Sequence, residues 1–154
     1  MKKTLENLVK AFVWESQARN RYTLYASKAK KEGYLQVAEI FLLTAEQEKE
    51  HAEWFFKMAQ IFVEREGLEM PVLETMTNTM LTFGDTFTNL QTAISGENEE
   101  YSDLYPEFAK IAQEEWYPEF AIRIRSIMNA EMHHEERYKK LYDQLETETL
   151  REKE

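Results

Sequence analysis

Residues 45–52 of the chain read AEQEKEHA, and residues 131–134 read EMHH. Each stretch contains a Glu-x-x-His motif, which ends at His51 in the first and at His134 in the second. Residues three positions apart lie on the same face of an α-helix, so the carboxylate and the imidazole of each motif can bind one metal ion together. The two stretches therefore predict two helices that share a metal site.

Two further glutamates stand at matching distances before these motifs. Glu15 lies 33 residues before Glu48, and Glu97 lies 34 residues before Glu131. One glutamate from each of two helices, with a Glu-x-x-His motif from each of two others, is the ligand set of a dinuclear carboxylate centre in a four-helix bundle. The four carboxylates balance the charge of two divalent ions. The predicted ligands are Glu15, Glu48, His51, Glu97, Glu131 and His134.

The lack of cysteine limits the metals that the chain can bind. No disulfide, thiolate zinc site, iron–sulfur cluster or cysteine nucleophile can form from this sequence. Oxygen and imidazole nitrogen ligands suit iron or manganese. We therefore expect two iron ions (Fe²⁺/Fe³⁺) as the cofactor, with manganese or zinc as substitutes.

An internal repeat relates the two halves of the chain. Residues 31–38 resemble residues 114–121, and the offset of 83 positions between them also takes His51 to His134. A repeat of this kind is typical of two copies of one structural unit. The unit here is a helical hairpin.

Apolar spacing and boundary residues predict four long helices. They run from about Thr4 to Gly33, from about Tyr34 past Phe62, from Asp85 or Thr86 to near Trp116, and from Pro118 to about Glu146. The fold class is therefore all-α, a ferritin-like four-helix bundle of two hairpins joined by a long crossover. The predicted bounds are hairpin 4–66, crossover 67–84 and hairpin 85–147, in one di-iron domain 1–147 with a charged tail 148–154.

The third helix carries one residue more than the first. Seven positions separate Glu15 from Tyr22, whereas eight separate Glu97 from Tyr105, and Pro106 follows directly. A helix can absorb one inserted residue as a π-bulge, and such bulges are frequent at functional sites. We therefore predict a π-bulge in the third helix.

One more glutamate faces the predicted site. Glu100 lies three positions after Glu97, where the first half of the chain has Ala18. We predict that Glu100 is an additional carboxylate ligand. The alternative is an exposed glutamate beside Glu99.

Composition excludes several kinds of partner. The 154 residues are 43% hydrophobic and carry a formal net charge of −10, which argues against binding to nucleic acid or to an anionic membrane. The first residues form no apolar signal-peptide core, and no segment approaches membrane-spanning length. We expect a soluble cytoplasmic protein with no nucleic-acid or membrane partner.

Four stretches resemble the rubrerythrin family: residues 15–22 (ESQARNRY), 45–52, 96–101 (GENEEY) and 104–106 (LYP). The resemblance covers nearly the whole chain, to about Leu145. It implies a di-iron centre whose ligands are Glu15, Glu48, His51, Glu97, Glu100, Glu131 and His134.

The resemblance also implies an activity, the reduction of hydrogen peroxide to water at a diferrous centre. It implies that Glu100 exchanges with His51 as one iron changes oxidation state. Tyr22 and Tyr105 match tyrosines that hydrogen-bond to ligand carboxylates, and simple core packing is their alternative role. These four residues are the predicted catalytic residues.

Electrons for this reaction are expected from outside the chain. Rubrerythrins usually carry a C-terminal rubredoxin module with four cysteines, and this sequence has no cysteine. We therefore predict a separate electron donor, either a rubredoxin or a reductase.

Several large apolar residues depart from the pattern of the repeat. Trp14 stands where the second half has Gly96, and Trp116 occupies the turn that is equivalent to Gly33. Large apolar groups on polar helix faces suggest contact with another subunit, although scattered exposed apolar residues are the alternative. We hypothesise a homo-oligomer, at least a dimer, with an interface that includes Trp14, Leu43, Trp54, Trp116 and Met132.

Two other functions stay open from the sequence alone. The first is a ferritin-like protein that binds and oxidises iron. The second is a subunit of an engineered oligomeric assembly that reuses a rubrerythrin scaffold. Both would keep the predicted metal ligands.

Overall fold

The chain is entirely helical wherever the structure assigns regular elements. The structure, a computed structural model, describes the backbone of residues 2–69 and 72–153 and the side chains of these residues up to residue 148. Its elements are α1 (Lys3–Lys31), α2 (Leu35–Arg65), α3 (Thr86–Glu99), a π-helical turn (Glu100–Leu104), α4 (Tyr105–Glu114) and α5 (Pro118–Lys153). Helix α3, the π-helical turn and α4 follow one another directly and form one long rod. The predicted all-α bundle of two hairpins is confirmed.

Both hairpin turns contain a residue in the left-handed region of the backbone. The φ angle is 88° at Gly33 and 74° at Trp116. After the second turn, the N–H of Tyr117 bonds back to the carbonyl of Ala112 at 2.8 Å. A residue with a side chain costs about 1–2 kcal/mol in this conformation. The turn at Trp116 therefore holds a costly residue in the place where the first hairpin has glycine.

Each hairpin caps the first helix of the other. The backbone N–H and the hydroxyl of Thr4 donate to Glu115 at 2.7 and 2.6 Å. The same two groups of Thr86 donate to Glu32 at 2.7 and 2.6 Å. A carboxylate at a helix N-terminus satisfies free N–H groups and interacts favourably with the helix dipole. Helix α1 begins at Lys3, one residue before the predicted start near Thr4, and its N-cap residue Lys2 makes no side-chain capping bond.

The last helix is longer than predicted. Helix α5 continues to Lys153, whereas the sequence predicted its end near Glu146. The residues beyond Glu146 contain no glycine or proline that would end a helix.

Two aromatic and aliphatic clusters fill the bundle. One packs around Leu8, Phe55 and Phe120, toward the end where α1 begins. The other packs around Tyr25 and Phe41, toward the opposite end. The predicted ligands lie along the helices between these two clusters, so both ends of the site are closed by apolar side chains.

The connection between the hairpins has no helix or strand in its described parts, residues 66–69 and 72–85. Leu73 packs against the first core cluster, and Phe83 stacks on Tyr25 with ring centroids 6.2 Å apart. The hydroxyl of Tyr25 donates to the carbonyl of Thr82 at 2.5 Å. The connection therefore runs along the length of the bundle. Among the described residues, no helix has the length and apolarity needed to cross a membrane.

Candidate metal centre

Four helical rods bring six of the predicted ligands together in the middle of the bundle. The side chains form two groups, in each of which one ligand atom per residue lies within 4.8 Å of the others. The first group contains Glu15, Glu48, His51 and Glu131, and the second contains Glu48, Glu97, Glu131 and His134. Two metal positions side by side fit this arrangement.

The two groups share Glu48 and Glu131. A carboxylate that belongs to both positions can place one oxygen on each of two ions. The other four residues would then each serve one position, Glu15 with His51 and Glu97 with His134. The repeat therefore produces a centre with approximate two-fold symmetry.

Both imidazoles direct Nδ1 at the carboxylates. His51 Nδ1 lies 2.8 Å from an oxygen of Glu131, and His134 Nδ1 lies 3.1 Å from Glu48 and 3.4 Å from Glu97. The two rings are nearly parallel, with centroids 6.1 Å apart. Neutral imidazoles in these positions can complete the coordination of two adjacent cations.

The donor set fits a metal pair better than it fits a protein interior without one. The side chains of Glu48 and Glu131 are fully buried, and neither oxygen of either carboxylate has a hydrogen-bond partner. Nδ1 of His51 and Nδ1 of His134 also lack a partner with hydrogen-bond geometry. Buried polar atoms are normally satisfied, and buried charges are normally paired or bound to metal. Two cations would satisfy all of these atoms together.

The electrostatics of the cluster support the same conclusion. Burial and repulsion from Glu131 raise the pKa of both Glu15 and Glu48 well above the usual value. Burial also acts on Glu131, but the close imidazole nitrogens of His134 and His51 outweigh it and lower its pKa to about 2. Positive charge inside the cluster would relieve the repulsion among these carboxylates.

The seventh predicted ligand stands apart from the six. Glu100 is buried but belongs to neither group of converging atoms, and its Oε2 has no partner. Its side chain lines a cavity of about 70 Å³, together with Trp14, Arg21 and Met80. Burial raises the pKa of Glu100 to about 8. Glu100 thus lines this cavity and is close enough to the cluster for its charge to raise the pKa of Glu15 and Glu48.

The π-helical turn explains the position of Glu100. The turn covers Glu100–Leu104, and α4 resumes at Tyr105. The π-bulge predicted from the extra residue in the third helix is therefore confirmed. Without it, Glu97 and Tyr105 could not both keep the places that Glu15 and Tyr22 have in the first half.

Two buried tyrosines bind ligand carboxylates across the bundle. The hydroxyl of Tyr22 donates to Glu97 at 2.8 Å, and the hydroxyl of Tyr105 donates to Glu15 at 2.7 Å. Each tyrosine therefore reaches the glutamate of the other hairpin. The hydrogen bonds show a polar contact in addition to core packing.

One residue near the ligands was not predicted from the sequence. Gln47 Oε1 lies 2.7 Å from Nε2 of His134. Because an amide oxygen only accepts, Nε2 donates this bond, which orients the ring and leaves Nδ1 available to a cation. Gln47 shares a helix face with Glu50 and Leu43, so its position in the sequence suggested an outward side chain.

The apolar residues predicted for an oligomer interface have different surroundings. Trp14 stacks on Phe108 of the same chain, with ring centroids 6.3 Å apart, and Trp54 lies under the guanidinium of Arg123 at 3.6 Å. Trp116 is 85% exposed. Leu43 and Met132 are also exposed, so the interface stays a prediction.

A four-helix bundle with a buried carboxylate and imidazole cluster defines the class of ferritin-like dinuclear metal proteins. The sequence matches the family described as rubrerythrin over residues 6–142, and the chain belongs to that family. It is 48% identical to rubrerythrin-1 of Clostridium acetobutylicum over 98% of this chain and 75% of that protein.

Solved structures agree with this assignment. A fully reduced, all-ferrous nigerythrin covers 93% of this chain, and 67% of its own chain is matched, with a TM-score of 0.76 and 33% identity. An engineered closed form of Archaeoglobus fulgidus ferritin gives a TM-score of 0.73 at 14% identity, over 96% of this chain and 86% of that one. The second likeness concerns the fold alone, which is ferritin-like.

Proposed function

We propose that this protein is a non-haem di-iron oxidoreductase that reduces hydrogen peroxide to water. The observation that carries the proposal is the pair of ligand groups that share Glu48 and Glu131. Membership in a family of oxidoreductases supports a redox role for this centre. A ferrous pair bound there would supply together the two electrons that cleave the O–O bond.

The chain's own side chains hold and orient this chemistry. Glu15, Glu48, His51, Glu97, Glu131 and His134 would hold the ions. Tyr22 and Tyr105 keep the terminal carboxylates oriented through their hydroxyls. The apolar clusters on either side of the site exclude water from the interior of the bundle.

Glu100 and His51 are the residues that we propose to change place during turnover. Glu100 stands at the side cavity, and His51 has a side chain that is 12% exposed, the highest value among the six converging ligands. A carboxylate suits the ferric ion and an imidazole suits the ferrous ion, so such an exchange would follow the oxidation state. The side cavity admits only small molecules, as peroxide entry requires.

Turnover needs two electrons per peroxide from an external donor, for which we propose a rubredoxin or a reductase. A homo-oligomer and a cytoplasmic location belong to the same proposal. Support comes from the family and the acidic composition.

Stopped-flow mixing of the iron-loaded, chemically reduced protein with peroxide or with oxygen tests the activity. We expect two ions per chain and oxidation by peroxide that is much faster than oxidation by oxygen. Faster oxidation by oxygen would instead favour a ferritin-like iron-oxidising protein. Failure to bind two ions per chain would contradict both functions.

A further inference from the structure

The side cavity that Glu100 lines lies where the two halves of the chain meet. Its helical walls come from equivalent positions of the internal repeat, on α1 and on α3 with the π-helical turn. Both members of each equivalent pair line the cavity, so it lies on the approximate two-fold axis that relates the two metal positions. The pairs are Trp14 with Gly96, Gln17 with Glu99, and Arg21 with Leu104.

The first of these pairs is unequal in size, because α1 has a tryptophan where α3 has a glycine. Trp14 and Gly96 each directly precede a predicted ligand, Glu15 and Glu97. The indole of Trp14 is stacked on Phe108, with an angle of 6° between the ring planes. Phe108 is buried in the first core cluster, so the indole forms a rigid wall of the cavity.

The connection between the hairpins narrows the cavity on the glycine side. Met80 lines the cavity, and its Sδ lies 3.4 Å from the place that a Cβ at Gly96 would occupy. The methionine side chain therefore fills part of the space that the glycine leaves open.

The volume that remains sets a limit on what can enter. It is about 70 Å³. A cavity of about 150 Å³ accommodates benzene, whereas one water occupies about 30 Å³ in the liquid. The side cavity is therefore large enough for hydrogen peroxide and too small for a phenyl ring.

We propose that Trp14 and Met80 limit the size of the hydroperoxide that reaches Glu100 and the metal pair. Hydrogen peroxide passes, and hydroperoxides that carry a bulky organic group are excluded. The inference rests on the proposed function, because it concerns the substrate of the same centre. An organic hydroperoxide would take up two protons, and two electrons from the ferrous pair, and would give an alcohol and a water by cleavage of the same O–O bond. The two substrates therefore differ in access and not in chemistry.

Removing the indole tests the proposal. In Trp14→Ala, the space left beside Phe108 can accept the phenyl ring of cumene hydroperoxide, because an indole is larger than a phenyl ring. The iron-loaded, chemically reduced protein is mixed with cumene hydroperoxide or with hydrogen peroxide in single-turnover stopped flow. We expect the ratio of the first rate constant to the second to rise on the order of tenfold or more, the scale of steric discrimination in an apolar pocket. The matched control Trp54→Ala removes an indole outside the cavity and should leave the ratio unchanged.

Met80 supplies a second variant that leaves the packing around Phe108 intact. Met80→Ala opens the cavity from residues 72–85, which contain no helix or strand, and should raise the same ratio. Met76→Ala, at a methionine of this connection that is 91% exposed, is the matched control and should leave the ratio unchanged. An unchanged ratio in either cavity variant would overturn the proposal. If Trp14→Ala does not fold, Met80→Ala alone decides.

Ligand binding gives a readout without turnover. Cumyl alcohol, the product of cumene hydroperoxide reduction, is titrated into ¹⁵N-labelled, zinc-loaded protein. In Trp14→Ala we expect saturable amide shifts at residues 14–21 and 96–104, and in the unmodified protein we expect none there. Equal shifts in the two proteins, or shifts in neither, would show that Trp14 does not determine what this cavity accepts.

The two proposals can fail separately. If the unmodified, reduced protein does not react with hydrogen peroxide, the proposed function is wrong, and the alcohol titration still measures the size limit of the cavity. If hydrogen peroxide and cumene hydroperoxide both oxidise the unmodified protein rapidly and at similar rates, the proposed function stands and the size limit is wrong.

Discussion

Glu115 accepts hydrogen bonds from both the backbone N–H and the hydroxyl of Thr4, at 2.7 and 2.6 Å, across 111 positions of the chain. Glu32 binds Thr86 in the same way. In each hairpin, a glutamate just after the first helix thus caps the N-terminus of the first helix of the other hairpin. The caps tie the two halves together at opposite ends of the bundle.

Replacing Glu115 should therefore weaken the fold more than an ordinary surface change. We expect Glu115→Ala to lower the free energy of unfolding by about 0.5–2 kcal/mol, the range measured for lost N-caps. Urea unfolding of the metal-free protein measures this free energy. The neighbouring exposed Glu114 gives a matched control, because Glu114→Ala should change stability by less than about 0.5 kcal/mol. Equal stability of the two variants would show that the cap contributes little.

The same cap should make stability depend on pH in one direction. Burial raises the pKa of Glu115, but hydrogen bonds from Thr4 and Lys3 outweigh it, so its pKa in the folded protein is lowered. A lowered pKa stabilises the fold above the unfolded-state value, about 4.3 for glutamate, and this stability is lost as pH falls through the folded-state value. The stability difference between the unmodified protein and Glu115→Gln should be constant near pH 7 and should shrink below about pH 4.3. A difference that grows on acidification would contradict this sign.

Counting along the chain predicted the bundle and the π-helical turn, because helix periodicity and the repeat determine both. Contacts between helices were harder to predict. The sequence places Gln47 on a polar face, and only the packing of α2 against α5 brings it to His134. Likewise, Glu32 and Glu115 looked like ordinary residues at helix ends until the arrangement of the two hairpins gave them partners.

Tyr105 should determine metal affinity through Glu15. Its hydroxyl holds one terminal carboxylate, so Tyr105→Phe should weaken metal binding by about 10–100-fold, as is typical when such supporting residues are lost. Titration of the metal-free protein with Co²⁺, followed by visible absorption, measures the affinity. Tyr25→Phe is the control, since Tyr25 is buried but donates to a backbone carbonyl of the connection. Similar losses in both variants would indicate general loosening of the core.

Glu100 should affect reactivity more than metal content. The six other ligands converge without it, so Glu100→Gln should still bind two ions per chain. We expect its oxidation by peroxide to slow by about 10–100-fold, because a neutral amide replaces a carboxylate ligand poorly. Metal analysis and single-turnover stopped flow measure the two effects. Glu107→Gln, at an exposed carboxylate outside the cavity, should change neither quantity. Loss of one ion in Glu100→Gln would mean that Glu100 is required for metal binding itself.

Gln47 contacts His134 and not His51, so its replacement should affect only one of the two metal positions. Gln47→Ala removes the acceptor at 2.7 Å from Nε2, so the ring of His134 loses the bond that fixes its tautomer. The position of Glu97 and His134 should then lose about 10–100-fold in affinity, while the position of Glu15 and His51 is unchanged. Calorimetric titration with Mn²⁺ should resolve two unequal sites in this variant. Gln36→Ala, at an exposed residue of the same helix, should leave both affinities unchanged. Equal weakening of both positions by Gln47→Ala would mean that the two ions bind as one unit and that the orientation of His134 is shared through Glu48 and Glu131.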